Sequence, residues 1–154
     1  MKDVKVIGIR GAAGFDEIVS HFTGLGGEVV LLDPEMVCGK DHILSAVAHA
    51  ERAFRNGTNR SKTLLTEIIL YAAGDRQIGR ATERMRPKPD TDEMVAVLLD
   101  IENPRIEEIG LERCDGIMDA SESKAINLDI EEVPGVPYED LVLERVALVD
   151  LMKQ

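Results

Sequence analysis

A basic tract in the middle of the chain holds the residues whose types and spacing could bind an anion. Arg76, Arg80 and Arg84 recur every four residues, so a helix would place them in one stripe. Arg60 and Lys62 lie at the predicted start of the preceding helix, where free backbone N–H groups also favour anions. This combination predicts contacts with the phosphates and base edges of a short single-stranded nucleic acid. The alternative is a cationic helix pair that only balances nearby carboxylates.

The charge distribution favours a local anion site over a broad one. The 154 residues carry a formal net charge of −11, whereas positions 49–88 hold nine basic and four acidic residues. A surface that is acidic elsewhere repels polyanions, so binding would concentrate on the basic tract.

Motifs for catalysis and for metal binding are missing from the sequence. The three histidines and two cysteines show none of the spacings typical of zinc sites, and we expect Cys38 and Cys114 to be buried free thiols. No nucleophile lies in a recognisable motif with a base, and the carboxylates scatter along predicted helix faces. We therefore expect no metal, no cofactor and no enzymatic activity.

The glycines of the first predicted loop form a second candidate site. Gly8, Gly11 and Gly14 follow a predicted strand and precede a predicted helix, and Asp33 ends the next strand. Dinucleotide folds place a ribose-binding acid at that point, but their glycine motif has a different spacing. Two interpretations stay open: a small nucleotide- or ligand-binding site, and a tight strand-to-helix turn.

The elements predicted around these residues describe an α/β protein, a single domain over 1–154 with a small sheet packed with several helices. Apolar runs predict strands at 4–9, 28–32 and 94–99. Helical spacing and breakers predict helices at 15–25, 41–56, 61–74, 75–86, 104–113 and 138–151, with a short one starting near Ser121. The predicted N-caps of the three central helices are Asp41, Ser61 and Asp75.

The closing helix has more apolar positions than one buried stripe requires. The surplus could face a partner protein. The candidate contact residues are Leu141, Val142, Val146 and Val149. No apolar run is long enough for a membrane span, and the N-terminus lacks the pattern of a signal peptide, so we expect a cytoplasmic protein.

The stretch from Asp41 to Arg84 strongly resembles the CGI family of kinase-binding proteins. Two pieces carry the likeness, HILSAVAHAERAF from His42 and NRSKTLLTEIILYAAGDRQIGRA from Asn59. The likeness is weak over residues 86–137, and the short chain looks more archaeal than animal.

The resemblance implies a regulatory subunit of the KEOPS complex, which installs threonylcarbamoyl on the adenosine that follows the anticodon of many tRNAs. It implies binding to the small atypical kinase, an ATPase, of that complex, and no catalytic activity of its own. Archaeal members also bind tRNA at its single-stranded CCA end. RNA contacts are therefore expected at Asn59, Arg60, Ser61, Lys62, Arg76, Gln77, Ile78 and Arg80. A kinase-binding scaffold without RNA contact remains an alternative.

Overall fold

The computed structural model describes residues 3–153 and divides them into two compact units. The first comprises the residues up to Pro34 together with Pro87–Met118, and the second comprises Glu35–Arg86 together with the residues from Asp119 onward. Within residues 3–153 there are four strands and six α-helices, so the predicted α/β class is confirmed. The assignment of one domain to the whole chain stays a prediction.

The first unit is a four-stranded sheet with one α-helix. Its strands lie in the order β2-β3-β1-β4, and each neighbouring pair is antiparallel. The core contains large apolar side chains from the sheet and the helix, including Ile7, Phe22 and Leu98. The elements are β1 (Val4–Arg10), α1 (Phe15–Gly24), β2 (Glu28–Leu32), β3 (Glu93–Leu99) and β4 (Glu112–Arg113).

The second unit is helical. In it α2 packs against α3 and α6, and α3 also packs against α4. The buried residues Ile43, Val47 and Ala50 recur at helical spacing along α2, as the sequence predicts. The helices are α2 (Lys40–Asn56), α3 (Leu64–Ala73), α4 (Ile78–Met85), α5 (Glu122–Asn127) and α6 (Tyr138–Met152).

The three predicted central N-caps are wrong, because each of these helices starts at a different residue. For α2 the N-cap is Gly39, whose φ of 99° favours glycine, so Asp41 lies in the first turn. For α3 the N-cap is Thr63, whose hydroxyl accepts a hydrogen bond from the Thr66 N–H. Ser61 is not the cap, because α3 begins only after Thr63; the Ser61 N–H instead donates to the Glu67 carboxylate at 2.8 Å.

The start of α4 differs in the same way. Gln77 is its N-cap, and the Gln77 side chain accepts from the Arg80 N–H at 2.5 Å. The Asp75 carboxylate instead accepts from the Gln77 N–H, two residues on, and so closes a turn that precedes the helix.

The helix predicted at 104–113 is also wrong. A short 3-10 helix spans Ile106–Ile109 and ends at Gly110, whose φ is 73°. The next residues form β4, which pairs Arg113 with Ile9 of β1. The backbone N–H and C=O groups of residues 112–113 thus bond to the edge of β1, and a longer helix would have used these groups within itself. The short helix predicted near Ser121 is confirmed as α5, with Ser121 as its cap.

Candidate nucleic-acid interface

Two segments of the second unit, Asn59–Lys62 and Asp75–Arg80, contain the predicted RNA-binding residues, and we call them together the basic corner. Lys62 is exposed, and its ammonium has no ion-pair partner within residues 3–153. Gln77 is exposed, and 39% of the Ile78 surface is open to solvent. The corner therefore offers a free cation, an amide and an apolar side chain to solvent.

The end of α6 brings the two segments of the basic corner together. Arg60 Nη2 donates to the carbonyl of Lys153 at 3.0 Å, and Arg76 Nη1 donates to the carbonyl of Met152 at 3.2 Å. The last carbonyls of a helix lack partners within the helix and carry partial negative charge, so they attract guanidinium groups. Two arginines that are sixteen positions apart in sequence are thus held at adjacent carbonyls.

A buried carboxylate fixes the first segment of the basic corner. Glu67 is fully buried and accepts hydrogen bonds from the Ser61 N–H at 2.8 Å and the Arg60 N–H at 3.1 Å. The Lys153 ammonium donates to the same carboxylate and also, at 2.8 Å, to the Tyr71 hydroxyl. Burial alone would raise the pKa of Glu67, but the hydrogen bonds from Lys153, Ser61 and Arg60 outweigh it and lower that pKa.

The network continues from Tyr71 across α6 to α2. The Tyr71 hydroxyl donates to Asp150, and burial together with that carboxylate raises the pKa of Tyr71. The other oxygen of Asp150 lies 3.1 Å from His49 Nδ1. Side chains from α2, α3 and α6 are therefore linked directly beneath the first segment of the basic corner, which makes this segment pre-organised.

The second segment is fixed by Asp75. Its carboxylate accepts from Arg80 Nε at 2.5 Å and from Arg80 Nη2 at 2.9 Å, in addition to the Gln77 N–H. These donors, with Arg80 the largest contributor, lower the pKa of Asp75 to about 2. Arg80 is therefore an exposed but paired cation.

The predicted stripe of three arginines does not form. Arg76 precedes α4, and Arg84 is turned to another contact, since it donates to the Asn127 carbonyl at 2.9 Å and pairs with Asp129 at 3.1 Å. The structure also places the Ser61 side chain in the interior, with 3% of that residue exposed. Ser61 thus acts in the corner through its backbone, and Asn59 supports it by donating Nδ2 to the Ser61 carbonyl at 2.8 Å.

The predicted partner-binding residues of α6 are mostly core residues. Val142, Val146 and Val149 are 1%, 1% and 0% exposed, because they form the stripe that faces α2 and α3, so they have no surface to offer. Leu141 is half-buried, and the large exposed apolar residues of this helix are Leu148 and Leu151. The apolar surface that α6 offers to a partner is therefore that of Leu148 and Leu151, with part of Leu141.

The three glycines of the candidate nucleotide loop do not lie in one loop, because Gly8 is inside β1, whereas Gly11 lies between β1 and α1 and Gly14 is the N-cap of α1. A Cβ on Gly8 would lie 2.2 Å from the Cys114 carbonyl oxygen, so only glycine allows that approach. The Gly8 N–H donates to Asp115 and the Gly11 N–H to the Asp92 carbonyl. Asp33 is paired with Lys88 at 3.2 Å. These contacts favour the structural interpretation of the loop over a nucleotide site.

One known protein family matches most of the chain, including its central helices. The family model described as kinase binding protein CGI-121 matches residues 22–150. The chain belongs to the CGI-121 family. This match covers all of α2, α3 and α4, and it spans both segments of the basic corner. No curated protein matches the chain.

The CGI-121 family is described as kinase-binding, and the remaining metal-ligating and thiol side chains of this chain show the following arrangement. Within residues 3–153 no group of histidine, cysteine and carboxylate side chains is placed to hold a metal ion. Cys38 and Cys114 are free thiols, as predicted, but of the two only Cys38 is buried and Cys114 is partly exposed. In the same part of the chain, no helix is both long and apolar enough to cross a membrane.

Sequence reasoning missed Glu67 and Lys153 as residues that position the basic corner. A usable signal exists for Glu67, because it is the one charged residue of the otherwise mostly apolar α3. A charge on such a helix is expected to have a buried partner. Lys153 gives no comparable signal, since a lysine at the end of a helix is ordinarily exposed.

Proposed function

We propose that this chain is a non-catalytic regulatory subunit of the KEOPS complex in the cytoplasm. In this role it binds the small atypical kinase of the complex and recruits tRNA, through the CCA end, for threonylcarbamoyladenosine formation. The observation that carries the RNA half of the proposal is the convergence of Arg60 and Arg76 on the end of α6. Lys62, two positions after Arg60, is exposed and has no ion-pair partner in the described residues 3–153. Membership of a family of kinase-binding proteins supports the other half.

The chemistry of the basic corner suits a short single strand. A guanidinium has five N–H donors, so Arg60 and Arg76 keep donors for phosphate after bonding to the α6 carbonyls. Lys62 supplies a mobile point charge. The exposed Ile78 and Gln77 provide an apolar surface and an amide for a base, as single-strand binding requires where aromatic side chains are few.

The charge elsewhere on the second unit supports a narrow grip on the tRNA tail. Residues 119–144 contain eight carboxylates and one lysine. Such a stretch repels the phosphates of a tRNA body, so affinity should concentrate on the few nucleotides that reach the basic corner.

A gel-shift titration of the chain with intact tRNA and with tRNA that lacks its terminal CCA tests the RNA half. We expect a complex with intact tRNA and a large loss of affinity without the tail. Equal binding of the two RNAs would contradict CCA recognition. Binding of the kinase with no tRNA binding would leave a scaffold only, and tight binding of a mononucleotide would favour the Gly8–Gly14 alternative.

Assays of the isolated chain test its non-catalytic role. We expect neither threonylcarbamoyl transfer nor ATP hydrolysis, and we expect the chain to raise the modification rate when it is added to the remaining KEOPS subunits. Turnover that co-purifies with the chain through successive columns would contradict this.

A further inference from the structure

A groove on the second unit lies between α6 and the segment that follows α5. It has a volume of 330 Å³, and its apolar lining is Ile130, Val133, Leu141 and Leu148. Val133 is 45% exposed and Leu148 is 37% exposed. Large apolar side chains that are open to solvent in one groove, rather than scattered singly, are typical of a site that a partner covers.

The groove is held open by hydrogen bonds to its wall. Asp129 adopts a left-handed backbone with φ 59°, and its carbonyl accepts from Arg145 Nη1 of α6 at 3.3 Å. Arg84 of α4 pairs with the Asp129 carboxylate and donates to the Asn127 carbonyl. Because two helices tie this wall in place, a ligand would not have to order it on binding.

The rim of the groove is acidic. Glu131 and Glu144 line it and are exposed, and Asp129 is 71% exposed at the side chain although it is paired with Arg84. Arg145 also lines the groove, but its guanidinium donates to the Asp129 carbonyl. The rim belongs to the 119–144 stretch, with its eight carboxylates and one lysine. This excess of carboxylates disfavours a nucleic acid as the occupant and complements a cationic one.

We propose that this groove docks a cationic, amphipathic segment of the partner kinase, with apolar side chains against Val133, Leu141 and Leu148 and with lysine or arginine side chains at Glu131 and Glu144. The kinase as source of the segment rests on the proposed function. The groove and the basic corner share no residue and carry opposite charges, so on this proposal kinase and tRNA bind different surfaces of the second unit.

Titration calorimetry with the purified cognate kinase tests the groove. Leu148→Asp should weaken kinase binding by on the order of tenfold or more, because it places a charge on the apolar lining. The double change Glu131→Lys with Glu144→Lys should weaken it too and should flatten its dependence on salt. Both glutamates are exposed, so the double variant should fold. It therefore tests the groove even if Leu148→Asp fails to fold.

Phe15→Asp is the matched control, since Phe15 is a 45% exposed apolar residue in the first turn of α1, and it should leave kinase binding unchanged. If the parent binds the kinase and both groove variants bind it within about twofold of the parent, the groove assignment is overturned and the proposed function stands. A change of about twofold is far below a hot-spot effect. Loss of tRNA binding rather than kinase binding in these variants would also overturn it. A parent chain that does not bind the kinase would overturn the proposed function and the groove assignment with it.

Discussion

Glu67 and Lys153 form an ion pair in which the two side chains are 0% and 6% exposed, and this pair joins α3 to the residue that follows α6. The same carboxylate accepts the backbone N–H groups of Arg60 and Ser61. One buried charge therefore holds the end of the chain and the first segment of the basic corner in a single arrangement.

Replacing Glu67 with Gln should lower the free energy of unfolding by about 3–5 kcal/mol, because it leaves the Lys153 ammonium buried without an anion. Urea unfolding measures the change. The matched control is Glu108→Gln, which removes a pair with Arg105 whose side chains are 53% and 55% exposed, and it should cost under about 1 kcal/mol. Equal losses in the two variants would show that burial of the Glu67 pair carries no special weight.

His42 should make stability fall in mild acid. Its Nδ1 accepts from the Cys38 N–H at 3.0 Å and its Nε2 lies 2.8 Å from the Ala72 carbonyl, an arrangement that fits the neutral ring. Burial lowers the pKa of His42 from 6.5 to about 4. The unfolded chain therefore binds the proton first, so stability is complete above pH 6.5 and is lost as the pH falls from 6.5 to about 4.

The loss over that range should reach about 3 kcal/mol, from the free energy of one pKa unit. Urea unfolding at a series of pH values measures it. His42→Gln should be less stable at neutral pH. Above about pH 5 its free energy of unfolding should also depend less on pH. In that range the carboxylates with lowered pKa values, Glu67, Asp75 and Asp150, have yet to titrate. An unchanged profile in His42→Gln would assign the pH dependence to other groups.

The sequence predicts the periodic part of this fold well and the polar part poorly. Burial leaves a regular pattern of apolar residues in the sequence. This pattern correctly predicts the strands β1, β2 and β3 and the apolar faces of α2 and α3. The start of α4 depends on whether Asp75 or Gln77 caps it, and both side chains suit that role, so only the competing bond from Arg80 decides.

The same limit applies to the two binding surfaces. The excess of apolar positions on α6 indicates a partner, but the face that is buried depends on how α2 and α3 pack, and it proved to contain Val142 and Val146. The convergence of Arg60 and Arg76 depends on where α6 ends, a tertiary relationship that the sequence does not record. The groove behind Asp129 needs a positive φ at a residue other than glycine, which is uncommon and hard to anticipate.

Gly8→Ala should destabilise the first unit by about 1–3 kcal/mol, because its Cβ would lie 2.2 Å from the Cys114 carbonyl oxygen. Gly24→Ala is the matched control, since nothing lies within 4 Å of a Cβ there and alanine favours the helix. Thermal unfolding should show a lower midpoint for the first and an equal or higher midpoint for the second. A Gly8→Ala variant as stable as the parent would contradict the close approach of β1 to the Cys114 carbonyl.

The affinity of the Lys62→Glu variant for intact tRNA, measured by titration at several salt concentrations, tests the account most directly. Lys62 is exposed and unpaired in the described part of the chain, so its reversal leaves the fold intact, whereas Arg76→Glu also loses the bond to Met152. The matched control is Lys40→Glu, an exposed lysine in the first turn of α2. We expect Lys62→Glu to bind tRNA much more weakly and with a salt slope that is flatter by about one unit, and Lys40→Glu to bind as the parent does. Binding of tRNA by a folded Lys62→Glu variant with the affinity and salt slope of the parent would contradict the assignment of the basic corner.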